Sequence, residues 1–289
     1  MALGVEVEPS RLELTISPEE PTQGTLKLNN LSGRAVQVQV TPGAYRSFLA
    51  NVSLPSAEGW FLFEPNVLTM APKASSNIQY IIQPPANLRN DTAGEYLAAI
   101  LIDEFPIEKE VPPPAPAVGD RILTQPWGTG TSFQPSETET PTPPSEDDAS
   151  ATRGRLTIVP RFAMPVYLKI RGRERIAVEV TNVSVQSAKT SDLLAVEVTL
   201  VNRGTVHVRP GGNLAILDSD GRPLTAYPLG KALPLLPTAT MTIPTLIPLP
   251  DSGRYKALVT IEVQTATPIQ KEVPFEVDIE GRVMEKEGE

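Results

Sequence analysis

Asp91-Thr92-Ala93-Gly94-Glu95-Tyr96-Leu97-Ala98 runs on into Ala99-Ile100-Leu101-Ile102. The first half is turn chemistry ending in a tyrosine. The second is an apolar run too continuous for a strand with one face in water, so it predicts a central strand covered on both faces. The same order returns later as Asp251-Ser252-Gly253-Arg254-Tyr255-Lys256-Ala257. In both copies Gly-x-Tyr opens an apolar strand. A fainter echo links Leu26-Lys27-Leu28-Asn29-Asn30 with Leu200-Val201-Asn202-Arg203-Gly204. Two copies of one pattern predict two similar domains.

The neighbouring segments alternate apolar and polar at period two, the mark of half-buried strands. Leu12, Leu14 and Ile16 alternate with Glu13 and Thr15, and Val36, Val38 and Val40 alternate with Gln37 and Gln39. Leu26 and Leu28 alternate with Thr25 and Lys27, and Ile78, Tyr80 and Ile82 keep the same period. Proline and glycine punctuate the runs at Pro18–Gly24, Pro42-Gly43, Pro72 and Pro84-Pro85, and no segment sustains a helical period. From about Phe105 to Gly154 the composition changes. Pro112-Pro113-Pro114-Ala115-Pro116 should be extended, and Glu137 to Ser150 holds almost no apolar side chain. Ile122-Leu123, Trp127 and Phe133 interrupt the insert, either as residues that dock or as sticky points in a linker.

Strand signals resume from Leu156 to Ile170 and again at Ala177–Val185, Ala195–Val201, Leu214–Leu217, Met241–Leu246, Tyr255–Val263 and Val273–Ile279. Asp218-Ser219-Asp220-Gly221 reads as a hairpin turn with Gly supplying positive φ. Short strands with frequent turns read as a sandwich. The paired Gly-x-Tyr steps fit a tyrosine corner, where the phenol bonds backbone at a strand-to-strand turn of an immunoglobulin-like fold. The expectation is therefore an all-β chain of two immunoglobulin-like β-sandwich domains, residues 1–171 and 172–289. A long disordered loop, at about 106–154, is inserted before the last strand of the first domain.

Composition narrows the function. The chain has 289 residues, enough for two domains, and 31 prolines, far above the usual share of about 5%, as the insert requires. The net charge of −9 without a basic stripe argues against nucleic acid as the partner. With no cysteine and a single histidine, His207, thiolate sites, His-rich zinc sites and paired catalytic histidines are excluded. His207 has no nucleophile motif nearby and reads as a packed or hydrogen-bonded histidine. Phosphate loops and Gly-x-Ser-x-Gly motifs are missing, and Asp103-Glu104 and Asp147-Asp148 stand at a strand end and in the insert. The expectation is a non-enzymatic, cofactor-free protein that binds polypeptide. No run of about 18 apolar residues predicts a membrane span. Met1-Ala2-Leu3-Gly4-Val5-Glu6 lacks the regions of a signal peptide, which leaves a cytosolic protein or a signal missing from this sequence.

Several stretches, in order, resemble the PapD-like periplasmic chaperones of pilus assembly. Val5-Glu6-Val7-Glu8-Pro9-Ser10-Arg11-Leu12 is similar to that family's first strand with its basic residue. Leu28-Asn29-Asn30, Trp60-Phe61-Leu62-Phe63-Glu64-Pro65, Gly94-Glu95-Tyr96-Leu97-Ala98-Ala99 and Pro165-Val166-Tyr167-Leu168 resemble later strands. Val201-Asn202-Arg203-Gly204-Thr205-Val206-His207-Val208-Arg209 resembles an Asn-x-Gly-x-x-His segment of the second domain. The resemblance implies a periplasmic chaperone that holds incomplete immunoglobulin-like pilus subunits by donor-strand complementation and hands them to an outer-membrane usher. It implies that Arg11 grips the subunit's terminal carboxylate in the cleft between domains, a task suited to a planar guanidinium. Without the resemblance Arg11 is a solvated strand arginine.

Departures from the family are a longer insert, the missing signal, and Met164 where a second cleft lysine is expected. Arg161 and Lys169 are the candidate second cations, although Arg161 lies on the opposite strand face from position 164. Leu156, Ile158, Phe162 and Met164 share one parity, with Pro160 among them. Either this row is donated to a client or it packs into the first domain's own core. The rival reading of the whole chain is a structural or adhesive surface protein built of immunoglobulin-like modules.

Overall fold

The structure, a computed structural model, describes residues 4–45, 54–107, 159–188, 192–230, 233–264 and 267–285. The insert beyond residue 107, with Leu156 and Ile158, lies outside the described residues. In chain order the first strands are β1 (Val5–Glu8), β2 (Leu12–Ile16), β3 (Thr22–Asn30), β4 (Val36–Gly43), β5 (Phe61–Glu64), β6 (Val67–Met70), β7 (Ser75–Ile82), β8 (Glu95–Pro106) and β9 (Arg161–Ile170). They form two sheets, ordered β1-β3-β7-β5 and β2-β9-β8-β4-β6. The chain crosses between these sheets from β1 to β2, through Pro9-Ser10-Arg11. The second group comprises β10 (Val178–Ser187), β11 (Leu193–Asn202), β12 (Gly211–Leu217), β13 (Pro223–Leu229), β14 (Thr240–Pro248), β15 (Gly253–Glu262), β16 (Ile269–Val277) and β17 (Val283–Glu285). Its sheets are ordered β10-β11-β14 and β13-β12-β15-β16-β17. The chain is thus all-β, with two sandwiches of immunoglobulin-like sheet order.

Side-chain alternation builds both cores. Val36, Val38 and Val40 of β4 and Leu26 and Leu28 of β3 are buried in the first core, as their period requires. In β8, Tyr96, Ala98, Ile100 and Ile102 face the same core, while Leu97 points the other way and joins the second sandwich's cluster with Tyr167. That is why β8 reads as apolar on both faces: one face meets the core, and one end of the other meets the neighbouring domain.

The internal repeat has a structural counterpart. Asn30, buried at the end of β3, donates through Nδ2 to the carbonyls of Arg34 and Ala71, both at 2.9 Å. Asn202, buried at the end of β11, donates to Val206 and Leu235, both at 2.9 Å, and its Oδ1 accepts from the Gly204 amide at 2.8 Å. Each asparagine ties its strand end to the carbonyls of two neighbouring turns or loops.

Two expectations are corrected. Val273–Ile279 is not one strand to its end: β16 stops at Val277, and Ile279 is 92% exposed in the turn Asp278-Ile279-Glu280-Gly281-Arg282. That turn repeats the expected one at Asp218–Arg222. Each Asp Oδ1 accepts two amides, and Gly221 and Gly281 take φ of +80° and +76°. The second correction concerns β9. Met164 is 0% exposed in the first domain's core, and Phe162 is half-buried against it. Both share parity with Val166, Leu168 and Ile170, and all five face inward. In its described part, the row weighed for donation is the sandwich's own core face.

Candidate functional site

The site is the junction between the two sandwiches, and the tyrosine corner sets its geometry. The Tyr96 hydroxyl donates to the Asp91 carboxylate, and the Tyr255 hydroxyl donates to the Asp251 carbonyl at 3.0 Å. Only the second copy bonds backbone as expected; in the first, a side chain takes that place. Burial, then the bond to Asp91, pushes the Tyr96 phenol up, and the same bond holds Asp91 below the usual carboxylate range. With Tyr96 fixed inward, Glu95 turns to the opposite face of β8, toward the second sandwich.

Glu95 is buried there against His207. Its Oε2 accepts the His207 amide at 2.7 Å, and its Oε1 is in hydrogen-bond contact with Nδ1 of the same ring. The His207 ring, 1% exposed, lies 4.3 Å from the Tyr167 ring, centroid to centroid. The backbones approach closely beside this pair. A Cβ at Gly94 would overlap the Thr205 side chain and the Arg173 carbonyl, so glycine is what lets the two sandwiches meet.

Glu13, on β2, closes the far side. Its Oε1 accepts from Arg209 Nε at 3.0 Å and Nη2 at 2.6 Å, and lies 2.9 Å from Arg11 Nε. Its Oε2 is 3.6 Å from His207 Nε2. Burial would raise the Glu13 carboxyl, but the hydrogen bond and charge of Arg209, with His207 and Arg11, hold it below its ordinary 4.5. A group depressed in the folded state adds stability above its unfolded pKa and loses it as the pH falls through the folded value. The stability difference between the wild type and Glu13→Gln should therefore be largest near neutrality, on the order of 1 kcal/mol, and vanish in acid as the pH falls through the lowered folded-state pKa. Thermal unfolding across that range checks this. A difference that persists unchanged into acid contradicts it.

A cleft of about 290 Å³ opens beside these groups, lined by Ser10, Arg11, Tyr45, Pro165, Tyr167, Arg209, Leu233 and Pro234. Its walls are apolar and aromatic, with Tyr45 and Tyr167 sharing a hydrogen bond at 3.3 Å, and its polar end carries two guanidinium groups. Burial, then the bond to Tyr45, pushes the Tyr167 phenol up, so it remains a neutral hydroxyl.

Of the residues singled out in the sequence, Arg11 lines this cleft with its side chain 55% exposed. Arg161 does not. It pairs with Asp103 through Nε at 2.6 Å and Nη2 at 2.9 Å, at the other end of β9, six residues or roughly 20 Å from Tyr167. No bulge alters its parity, because the β8–β9 register is regular from Arg161 to Lys169. Lys169 is half-buried opposite Glu95 and Thr15 in register and does not line the cleft. Arg209 was missed. Its only signal is that it follows His207 by two residues, on the same side of an extended segment.

The outer edge of β9 is the second element of the site. β8 pairs with β9 from Arg161 to Lys169, whereas β2 covers its other side only from Val166 to Ile170. Among the described residues, 161–165 therefore present an open edge leading into the cleft at Pro165. Ile170 donates its amide to Gly94, so even-numbered β9 amides face β8, and those of Arg161 and Ala163 face outward. Pro165 stands on that outward side without an amide to satisfy.

No family model and no curated protein matches the sequence. Among solved structures, the chain is similar to the class 5 fimbriae chaperone CfaA, at 10% identity over 93% of this chain and 98% of that one, with a TM-score of 0.46. It is similar to the structure of Salmonella enterica SafA pilin in complex with the SafB chaperone, at 14% identity over 94% and 97%, with a TM-score of 0.41. The CupB2 chaperone of Pseudomonas aeruginosa is similar at 14% identity over 97% of both chains, with a TM-score of 0.40.

Proposed function

We propose that this chain is a pilus-assembly-type chaperone that holds an incomplete immunoglobulin-like subunit by strand addition. The observation that carries this reading is the half-covered β9, paired among the described residues on one side only along 161–165 and ending in a cleft with two guanidinium groups. A subunit lacking a strand has its own open edge. Its last strand would add to β9, and its terminal carboxylate would reach Arg11. The reading places the chain in the periplasm, makes an outer-membrane usher the next partner, and divides the domains near residue 171. Strand exchange needs neither a cofactor nor a catalytic group.

Co-expression with a subunit missing its final strand tests this. Arg11→Ala should leave the fold nearly intact, because the side chain is half exposed, while binding falls by about 1.5–3 kcal/mol, tenfold or more. Equal recovery of the complex by wild type and mutant removes Arg11 from the site. A chain whose Tm is unchanged by any such subunit is instead the structural or adhesive module.

A further inference from the structure

In the unbound chain the cleft's two guanidinium groups already hold a carboxylate, that of Glu13. They hold it imperfectly. Both Arg209 nitrogens and Arg11 Nε converge on Oε1, at 2.6–3.0 Å, instead of one donor meeting each oxygen as a guanidinium fork prefers. Oε2 instead lies 3.6 Å from His207 Nε2, too far for a hydrogen bond. That Nε2 is itself buried and has no hydrogen-bond partner among the described residues. Arg11 reaches Glu13 from the crossover between β1 and β2, and Arg209 comes from the second sandwich, so the carboxylate bridges the two domains.

We infer that Glu13 is an internal stand-in for the client's carboxylate, occupying the Arg11–Arg209 fork until a free chain end displaces it. This rests on the proposed reading of the cleft as a carboxylate site and adds its regulation. Arg209, from the second sandwich, becomes the second cation that β9 does not supply, since Met164 is buried, Arg161 is remote and Lys169 lies off the cleft. The stand-in gives two neighbouring like charges one shared counter-charge while the cleft is empty. It also sets a selection rule: a segment without a free carboxylate has nothing to exchange for Glu13 and leaves the fork closed. An entering carboxylate with apolar substituents gains the walls of Tyr45, Pro165, Tyr167 and Leu233 as well.

The test titrates the full chain with N-acetyl-phenylalanine and with its amide, followed by calorimetry or chemical shifts. Wild type should take the acid weakly and the amide not at all. Glu13→Gln, which keeps the shape and removes the charge, should bind the acid roughly tenfold more tightly. Arg209→Gln should lose it. Glu13→Ala repeats the gain if the glutamine variant folds poorly, and thermal unfolding verifies each fold. Equal or weaker acid binding by Glu13→Gln makes Glu13 a positioning residue and overturns the stand-in, while a wild-type preference for acid over amide leaves the carboxylate site standing. A parallel rise for the amide also overturns it. If no variant prefers the acid to the amide, both readings fall.

Discussion

Replacing Glu95 with alanine should destabilise the protein by about 3–5 kcal/mol, seen as a large fall in Tm. The reason is local. Glu95 is buried, its Oε2 accepts the His207 amide at 2.7 Å, and its Oε1 holds the His207 ring. Truncation leaves a buried amide and a buried ring nitrogen without partners, and each carries its own desolvation cost. The loss falls on the domain junction, so the cleft should suffer with it and a bound subunit should be released. Glu95→Gln keeps the shape and part of the hydrogen bonding and should cost clearly less. A loss below about 1 kcal/mol for the alanine variant would show that the pair does not hold the sandwiches together.

Met164→Ala should cost about 2–5 kcal/mol, the range of large-to-small changes in a packed core. Met164 is fully buried, and its row on β9 lines the first core between β2 and β8. Had this residue been free for donation to a client, the change would leave the melting temperature nearly untouched. Urea or thermal unfolding of the variant separates the two outcomes. An unchanged midpoint would return Met164 to the partner-binding row.

Much of this architecture was readable from residue patterns, for a physical reason. A half-buried strand must alternate, so β2, β3, β4 and β7 announce themselves, and the paired Gly-x-Tyr steps mark β8 and β15 as equivalents. β13 was not readable, because Pro223–Leu229 is an edge strand exposed along nearly its whole length and nothing forces alternation on it. Parity on β9 was legible, but not which face is the core; that depends on β2 and β8 flanking the strand, which is long-range information. The junction was legible least. Glu13 and Arg209 are 196 residues apart, and no local pattern says which arginine meets which glutamate. Arg11 was found through a resemblance in its surroundings, whereas Arg209 and the stand-in carboxylate needed coordinates.

Amide hydrogen exchange at Arg161 and Ala163 asks most directly whether a client strand adds to β9. Both amides face the edge that the described residues leave open and should exchange in the isolated chain at rates near those of exposed backbone. In the complex with a subunit lacking its last strand, both should slow by on the order of tenfold or more, as amides drawn into a sheet ladder do. Exchange at both positions left unchanged in an intact complex would mean that the partner binds elsewhere, and the strand-addition reading would be wrong.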